Sequence, residues 1–181
     1  MVASGAHAFR WRSWLGLSVV LFLLYGAVNV VFAIFVPASL HAGGAAASGG
    51  LIVSVDVDSR VLGRSLESLP AADPGLNAYL VTFMDTMCMM MMAFGLLQLA
   101  VAWFALRAGQ AWALWSLAIA DVSFIPYFWL AIPGTYASFG VPVADVILAF
   151  GGFFIIVLIA VAAAVVAGLA GMRGSMRRAA T

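Results

Sequence analysis

Between Arg12 and Asp56 the chain carries no Asp, Glu, Lys or Arg, and from Trp14 to Val36 it is apolar except for small or weakly polar residues. That run exceeds the roughly 20 residues a helix needs to cross a bilayer core. In hydrocarbon the backbone N–H and C=O groups find no water, so such a segment must satisfy them internally, as an α-helix does. Three more intervals repeat the pattern. Leu76 to Leu106 is interrupted only by Asp85, Ala111 to Ile132 only by Asp121, and no charge lies between Asp145 and Arg173. The chain is 66% hydrophobic and 8% charged, against about 25% charged in soluble domains, so lipid is the expected solvent for most of its surface. The expected fold is all-α: one integral membrane domain over 1–181, a four-helix bundle with spans at about 14–36, 74–106, 111–132 and 143–171, and an outer loop over 37–73 between the first two spans.

The flanking charges orient these spans. Arg10 and Arg12 precede the first, Arg107 sits between the second and third, and Arg173, Arg177 and Arg178 follow the fourth. The positive-inside rule then places both termini in the cytoplasm and the long loop outside the cell membrane. Trp11, Trp14, Trp103 and Trp112 fall at the inner interface, and Tyr79, Trp129 and Tyr136 near the outer one, as paired aromatic belts should. The N-terminal run also has the ingredients of a signal peptide, with a cleavable Leu40-His41-Ala42, but its apolar stretch is about twice the usual length. The net charge of +1 offers no footprint for nucleic acid.

The outer loop carries local signals. Val53, Val55 and Val57 alternate with Ser54, Asp56 and Asp58, which reads as a short strand with a wet face rather than as an Asp-x-Asp metal pair. His41 to Gly50 is Gly/Ala/Ser-rich and is expected to be flexible. Val61, Leu62, Leu66 and Leu69 recur at helical spacing, as in an amphipathic helix lying on the surface. Asp73-Pro74 reads as a helix start, with Asp as cap and Pro in the first turn. In the fourth span Ala160, Ala164 and Gly168, and likewise Ala163, Ala167 and Gly171, repeat every four residues. Such a seam lets helix backbones approach closely, and the helix it receives can belong to this chain, to a second copy or to a partner membrane protein.

The polar residues inside the spans are the candidate functional groups. Asp121 lies about ten residues, roughly 15 Å, from the inner end of its helix and so near the midplane. A carboxylate at that depth costs about 2.5–3.5 kcal/mol on insertion scales, so it needs a partner. Depth counting places Gln98 and Tyr25 within about a turn of the same level. This cluster reads either as a packing contact or as a proton- or substrate-binding carboxylate of a carrier. Asp85, Asn29 and Asp145 approach the outer half and are candidates for an outward vestibule, with Asp145 also suited to cap the fourth helix. Pro126 is expected to bend the third span.

Met84, Met87 and Met89 to Met92 surround Cys88, the one cysteine. Asp85, Cys88, Met89 and Met92 share a helix face. Soft thiol and thioether donors favour Cu(I), so Cys88, Met89 and Met92, with His41 as an outer ligand, form a candidate copper site; the plainer reading is flexible apolar filler. His7 and His41 are the only histidines, and no Ser/His/Asp set, flavin or haem pattern is visible. A non-enzymatic, cofactor-free accessory protein is therefore the leading expectation, with the carrier and copper readings as alternatives.

The stretch from Gly95-Leu96-Leu97-Gln98 through Trp103 to Arg107-Ala108-Gly109-Gln110-Ala111-Trp112-Ala113 resembles the helix-turn-helix of small bacterial four-helix membrane proteins of the DoxX-like type. The shared element is a helix ending in Arg-x-Gly followed by a Trp that opens the next helix. The resemblance implies a bacterial four-span protein and carries no functional residue over to this chain.

Overall fold

The computed structural model describes residues 9–179; His7 lies outside them, as do the side chains of Arg177 and Arg178. The order is α1 (Trp14–Ala47), α2 (Val55–Leu62), α3 (Leu69–Ala72), α4 (Pro74–Ala100) running into a π-helical turn (Val101–Leu106), α5 (Ala111–Val122), a second π-helical turn (Tyr127–Ala131), α6 (Ile132–Ala137) and α7 (Val143–Ala179). Among the described residues there is no strand, and four helical segments are long and apolar enough to cross a membrane. The ends follow ordinary capping chemistry. Ser13 Oγ accepts from the Gly16 amide at 3.0 Å, and Asp73 Oδ1 from the Leu76 amide at 3.0 Å with Pro74 in the first turn. Gly109, at φ 77°, turns the chain between α4 and α5.

The segments differ from the sequence expectation at four places, one being that Val61 to Leu69 do not form a single amphipathic helix but end α2 at Gly63 and start α3 at Leu69. The first helix does not stop near Val36 but continues through Pro37 to Ala47. The Ala-rich stretch after His41 is thus helical, broken only where Gly44 takes a φ of 75°, a conformation that glycine adopts without a side-chain penalty. The third span does not end at Ile132. Pro126, which lacks an N–H and crowds the preceding turn, is followed by the second π-helical turn, and the helix resumes to Ala137. The strand reading of Val53 to Asp58 is overturned, because these residues open α2. Ser54 caps it through the Val57 amide, Asp56 and Asp58 lie in its first turn, where the helix dipole favours negative charge, and Gly63 ends it in a left-handed conformation. Alternating valines carry less weight than a cap at each end.

The segment from Ser48 to Asp73 forms a folded cap over one end of the helices, opposite the start of α1 and the end of α7. Its centre is Asp58, only 3% exposed. Asp58 Oδ2 accepts from the amides of Leu51 at 2.7 Å, Ile52 at 3.0 Å and Val53 at 3.3 Å, and Oδ1 accepts from the Tyr136 hydroxyl at 2.7 Å. Gly50 makes this closure possible: at φ 123° its Cβ would stand 2.7 Å from the Ser54 carbonyl carbon and 2.9 Å from Asp58 Oδ2. Arg60 adds a second tie. It donates to Asp145 Oδ2 at 2.8 Å and to Asp56 Oδ2 at 2.6 Å, and its pKa is raised by the Asp145 hydrogen bond first and by the Asp56 charge next. Apolar contacts complete the docking: Val57 packs with Ile132, Tyr136 and Val146, while Leu66 and Leu69 pack with Leu40 and Ala45.

Small residues set the spacing of the long helices. A Cβ on Gly95 would meet the Gly26 carbonyl oxygen at 2.9 Å, so α1 and α4 cross there backbone to backbone. In α7, a Cβ on Gly168 would stand 2.7 Å from Leu114 Cδ1 and 2.9 Å from Ser18 Oγ, and one on Gly171 2.8 Å from Leu15 Cβ. Ala164 and Ala167 are each 1% exposed. Most of the small-residue seam is thus filled by α1 and α5 of the same chain, and of its residues Ala163 is left exposed.

Asp58→Ala strips the acceptor from three amides and a hydroxyl, and unmatched buried donors cost about 1–3 kcal/mol each. The cap is expected to become protease-sensitive and the melting temperature to fall in Asp58→Ala, whereas Tyr136→Phe, which removes one of these bonds, costs about 1 kcal/mol. Limited proteolysis and thermal denaturation of the two variants check the ranking.

Candidate functional site

Two sets of polar groups lie between the long helices. The first is midway along the bundle. Asp121 is fully buried and Gln98 2% exposed, and Gln98 Nε2 donates to Asp121 Oδ2 at 3.0 Å. Each keeps one oxygen, Asp121 Oδ1 and Gln98 Oε1, that has no hydrogen-bond partner among the described residues. Tyr25 lies close enough to Asp121 to interact with its charge and has Asn29 as its other polar neighbour. Of the Asp121, Gln98 and Tyr25 level inferred by counting, the first two are joined by this hydrogen bond. Gln98 sits one turn before the π-helical turn at Val101, and such turns recur at functional sites.

The second set lies nearer the cap. Ala33, Pro37 and His41, spaced every four residues along α1, face Asp85, Cys88, Met89, Met92, Ala93 and Leu96 of α4 across an open groove of about 530 Å³. Ala33, Ala93 and Pro37 leave the space because their side chains are short. At one end His41 Nε2 and Asp85 Oδ2 stand 2.9 Å apart; the rest of the lining is apolar or sulfur-bearing. Asp85 Oδ1 is shielded and has no partner among the described residues. From Asp85 to Leu96 the groove follows α4 for about 16 Å at 1.5 Å per residue.

The vestibule expected from Asp85, Asn29 and Asp145 does not form. Asp85 pairs with His41 and Asp145 with Arg60. Asn29 sits beside the Gly95 crossing, with its Cβ 3.1 Å from where a Gly95 Cβ would be, about 18 Å along α1 from His41. Asp145 lies in the first turn of α7 but serves the cap as well as the helix. The soft donors do share a surface, since Cys88, Met89, Met92 and His41 all line the groove. Among the described residues, however, no three His, Cys, Asp or Glu side chains gather around a point that would hold a metal ion.

Two partnerships escaped sequence reasoning. The His41–Asp85 pair spans 44 positions, and the only signal for it was that His41 is a candidate copper ligand over the helix face that Asp85 shares with Cys88, Met89 and Met92. The Tyr136–Asp58 bond spans 78, and its residues were read as a belt tyrosine and a wet strand face. No family model, curated protein or solved structure matches the chain.

If Asp121 serves packing, Asp121→Asn keeps a hydrogen-bonding partner for Gln98 and stability close to wild type. Asp121→Leu leaves the Gln98 amide unmatched and lowers stability by about 1–2 kcal/mol. Thermal denaturation in detergent measures both; equal losses would contradict the hydrogen-bond account.

Proposed function

We propose that the chain is a non-enzymatic four-span protein of the cell membrane, with both termini cytoplasmic, which holds an amphipathic small molecule in the lateral groove between α1 and α4 and acts as an accessory to membrane partners. The observation that carries this reading is the groove itself. Ligand sites are concave, mostly apolar and about 300–1,000 Å³, with a few convergent polar groups. Here a volume of about 530 Å³ combines an apolar trough with one polar end. Two of its walls are methionine side chains, whose flexible thioethers adapt to varied apolar shapes.

The membrane placement fits the same geometry. Pro74–Leu106 spans 33 residues, about 50 Å, and a bilayer core of roughly 30 Å counted back from Arg107 reaches the neighbourhood of Asp85. The polar end of the groove then sits at the outer interface and its apolar length in the outer leaflet. Trp11, Trp14 and Trp112, each about half exposed, and Trp103 under the Arg107 guanidinium at 4.7 Å suit the inner interface. The α4–α5 turn, which lies away from the groove, resembles that of DoxX-like membrane proteins. A carrier working through Asp121 is the alternative, supported by its unmatched oxygen.

The test is photo-crosslinking of the full-length protein in phosphatidylcholine nanodiscs with a long-chain, diazirine-bearing amphiphile. Crosslinks are expected on the 85–96 segment and are expected to be lost in Ala93→Trp, which fills the trough. Labelling spread evenly over the bundle and indifferent to Ala93→Trp would contradict the proposal. Stoichiometric Cu(I) retained through gel filtration and blocking the crosslinks would contradict it in favour of copper handling by Cys88, Met89 and Met92.

A further inference from the structure

The polar end of the groove has a definite hydrogen-bonding character, and from it we infer, resting on the groove reading above, the class of head group the site takes: one that donates hydrogen bonds and carries no negative charge, a hydroxyl or an amine. Besides the Cys88 thiol, the lining residues that ionise are Asp85 on α4 and His41 on α1; no Arg lines the groove. Asp85 Oδ2 engages His41 Nε2 at 2.9 Å. A carboxylate accepts and does not donate, so the imidazole places its N–H on Nε2 and leaves Nδ1 as an acceptor in its neutral form. Asp85 Oδ1 is a further acceptor with no partner among the described residues. That oxygen is shielded, so a head group arriving at the groove meets Oδ2, which keeps acceptor capacity beside its His41 bond.

Two acceptors at one end of an otherwise apolar trough match a donor. A hydroxyl or ammonium supplies one to Oδ2 or to His41 Nδ1. A carboxylate, phosphate or sulfate head brings more acceptors and a like charge to Asp85, and neighbouring carboxylates repel. Hydroxyl and amine heads share the required chemistry, and the experiment separates them.

Three competitors of equal chain length, a long-chain alcohol, amine and carboxylic acid, are titrated against the crosslinking amphiphile on the full-length protein in phosphatidylcholine nanodiscs. The alcohol, the amine or both are expected to displace the probe from the 85–96 segment at least about tenfold more effectively than the acid, the worth of one hydrogen bond to a charged group. In Asp85→Asn the ratio is expected to collapse toward unity while the crosslinks persist. A stronger amine than alcohol identifies an ammonium head, and the reverse a hydroxyl head. Equal competition by all three overturns the head-group inference and leaves the groove reading standing; no competition by any of them, with labelling indifferent to Ala93→Trp, overturns the groove reading itself. Should Asp85→Asn fail to fold, the ranking on the wild-type protein decides alone.

Discussion

The long helices are apolar on their outer faces, and their interior mixes large apolar side chains such as Phe22, Leu106 and Leu114 with small and polar ones. Leu148 is 80% exposed, Phe104 74%, Leu130 73% and Ile156 68%, whereas Ala102, Ala113, Ser18 and Asp121 are fully buried. In water that distribution would be untenable, because the hydrophobic effect would turn the large side chains inward. In hydrocarbon nothing is gained by burying leucine, and helices associate through close packing and interhelical hydrogen bonds. Each internal feature follows from this. Gly26 and Gly95 bring α1 and α4 together, Gly168 and Gly171 seat α7 on α1 and α5, and Gln98 with Asp121 supplies a polar contact in the interior.

The groove follows from the same rule. Where α1 and α4 cross at two glycines the backbones touch; beyond that point Ala33, Pro37 and Ala93 do not fill the space, and the helices leave an open trough rather than a packed interface. The cap keeps the far ends of these helices in place. Asp58 gathers the loop amides and binds α6 through Tyr136, and Arg60 reaches α7 through Asp145. A carboxylate that accepts four hydrogen bonds is well matched, so the cap is a docked element and not a loose loop.

Much of the architecture was legible in the sequence because it rests on one-dimensional signals. Charge-free runs locate the four apolar helices, Asp73-Pro74 marks the start of α4, and counting along helices places Gln98 level with Asp121. What was not legible depends on contacts between distant segments. The Val53–Asp58 alternation mimics a strand, and only the caps at Ser54 and Gly63 and the burial of Asp58 make it a helix. His41 and Asp85 were each assigned elsewhere, as a copper ligand and a vestibule carboxylate, because nothing local says that they face one another. Asn29 and Asp145 were grouped with Asp85 by depth alone, which ignores azimuth and the Arg60 side chain that claims Asp145.

The groove serves the outer leaflet only if the chain crosses the bilayer four times with its cap outside. The most direct measurement is a topology map of the full-length chain in cells, using reporters at the two termini and within the cap at Gly63, each read by one signal that requires the cytoplasm and one that requires the exterior. The account predicts cytoplasmic signals at both termini and an exterior signal at Gly63. A terminus on the same side as Gly63 would contradict it.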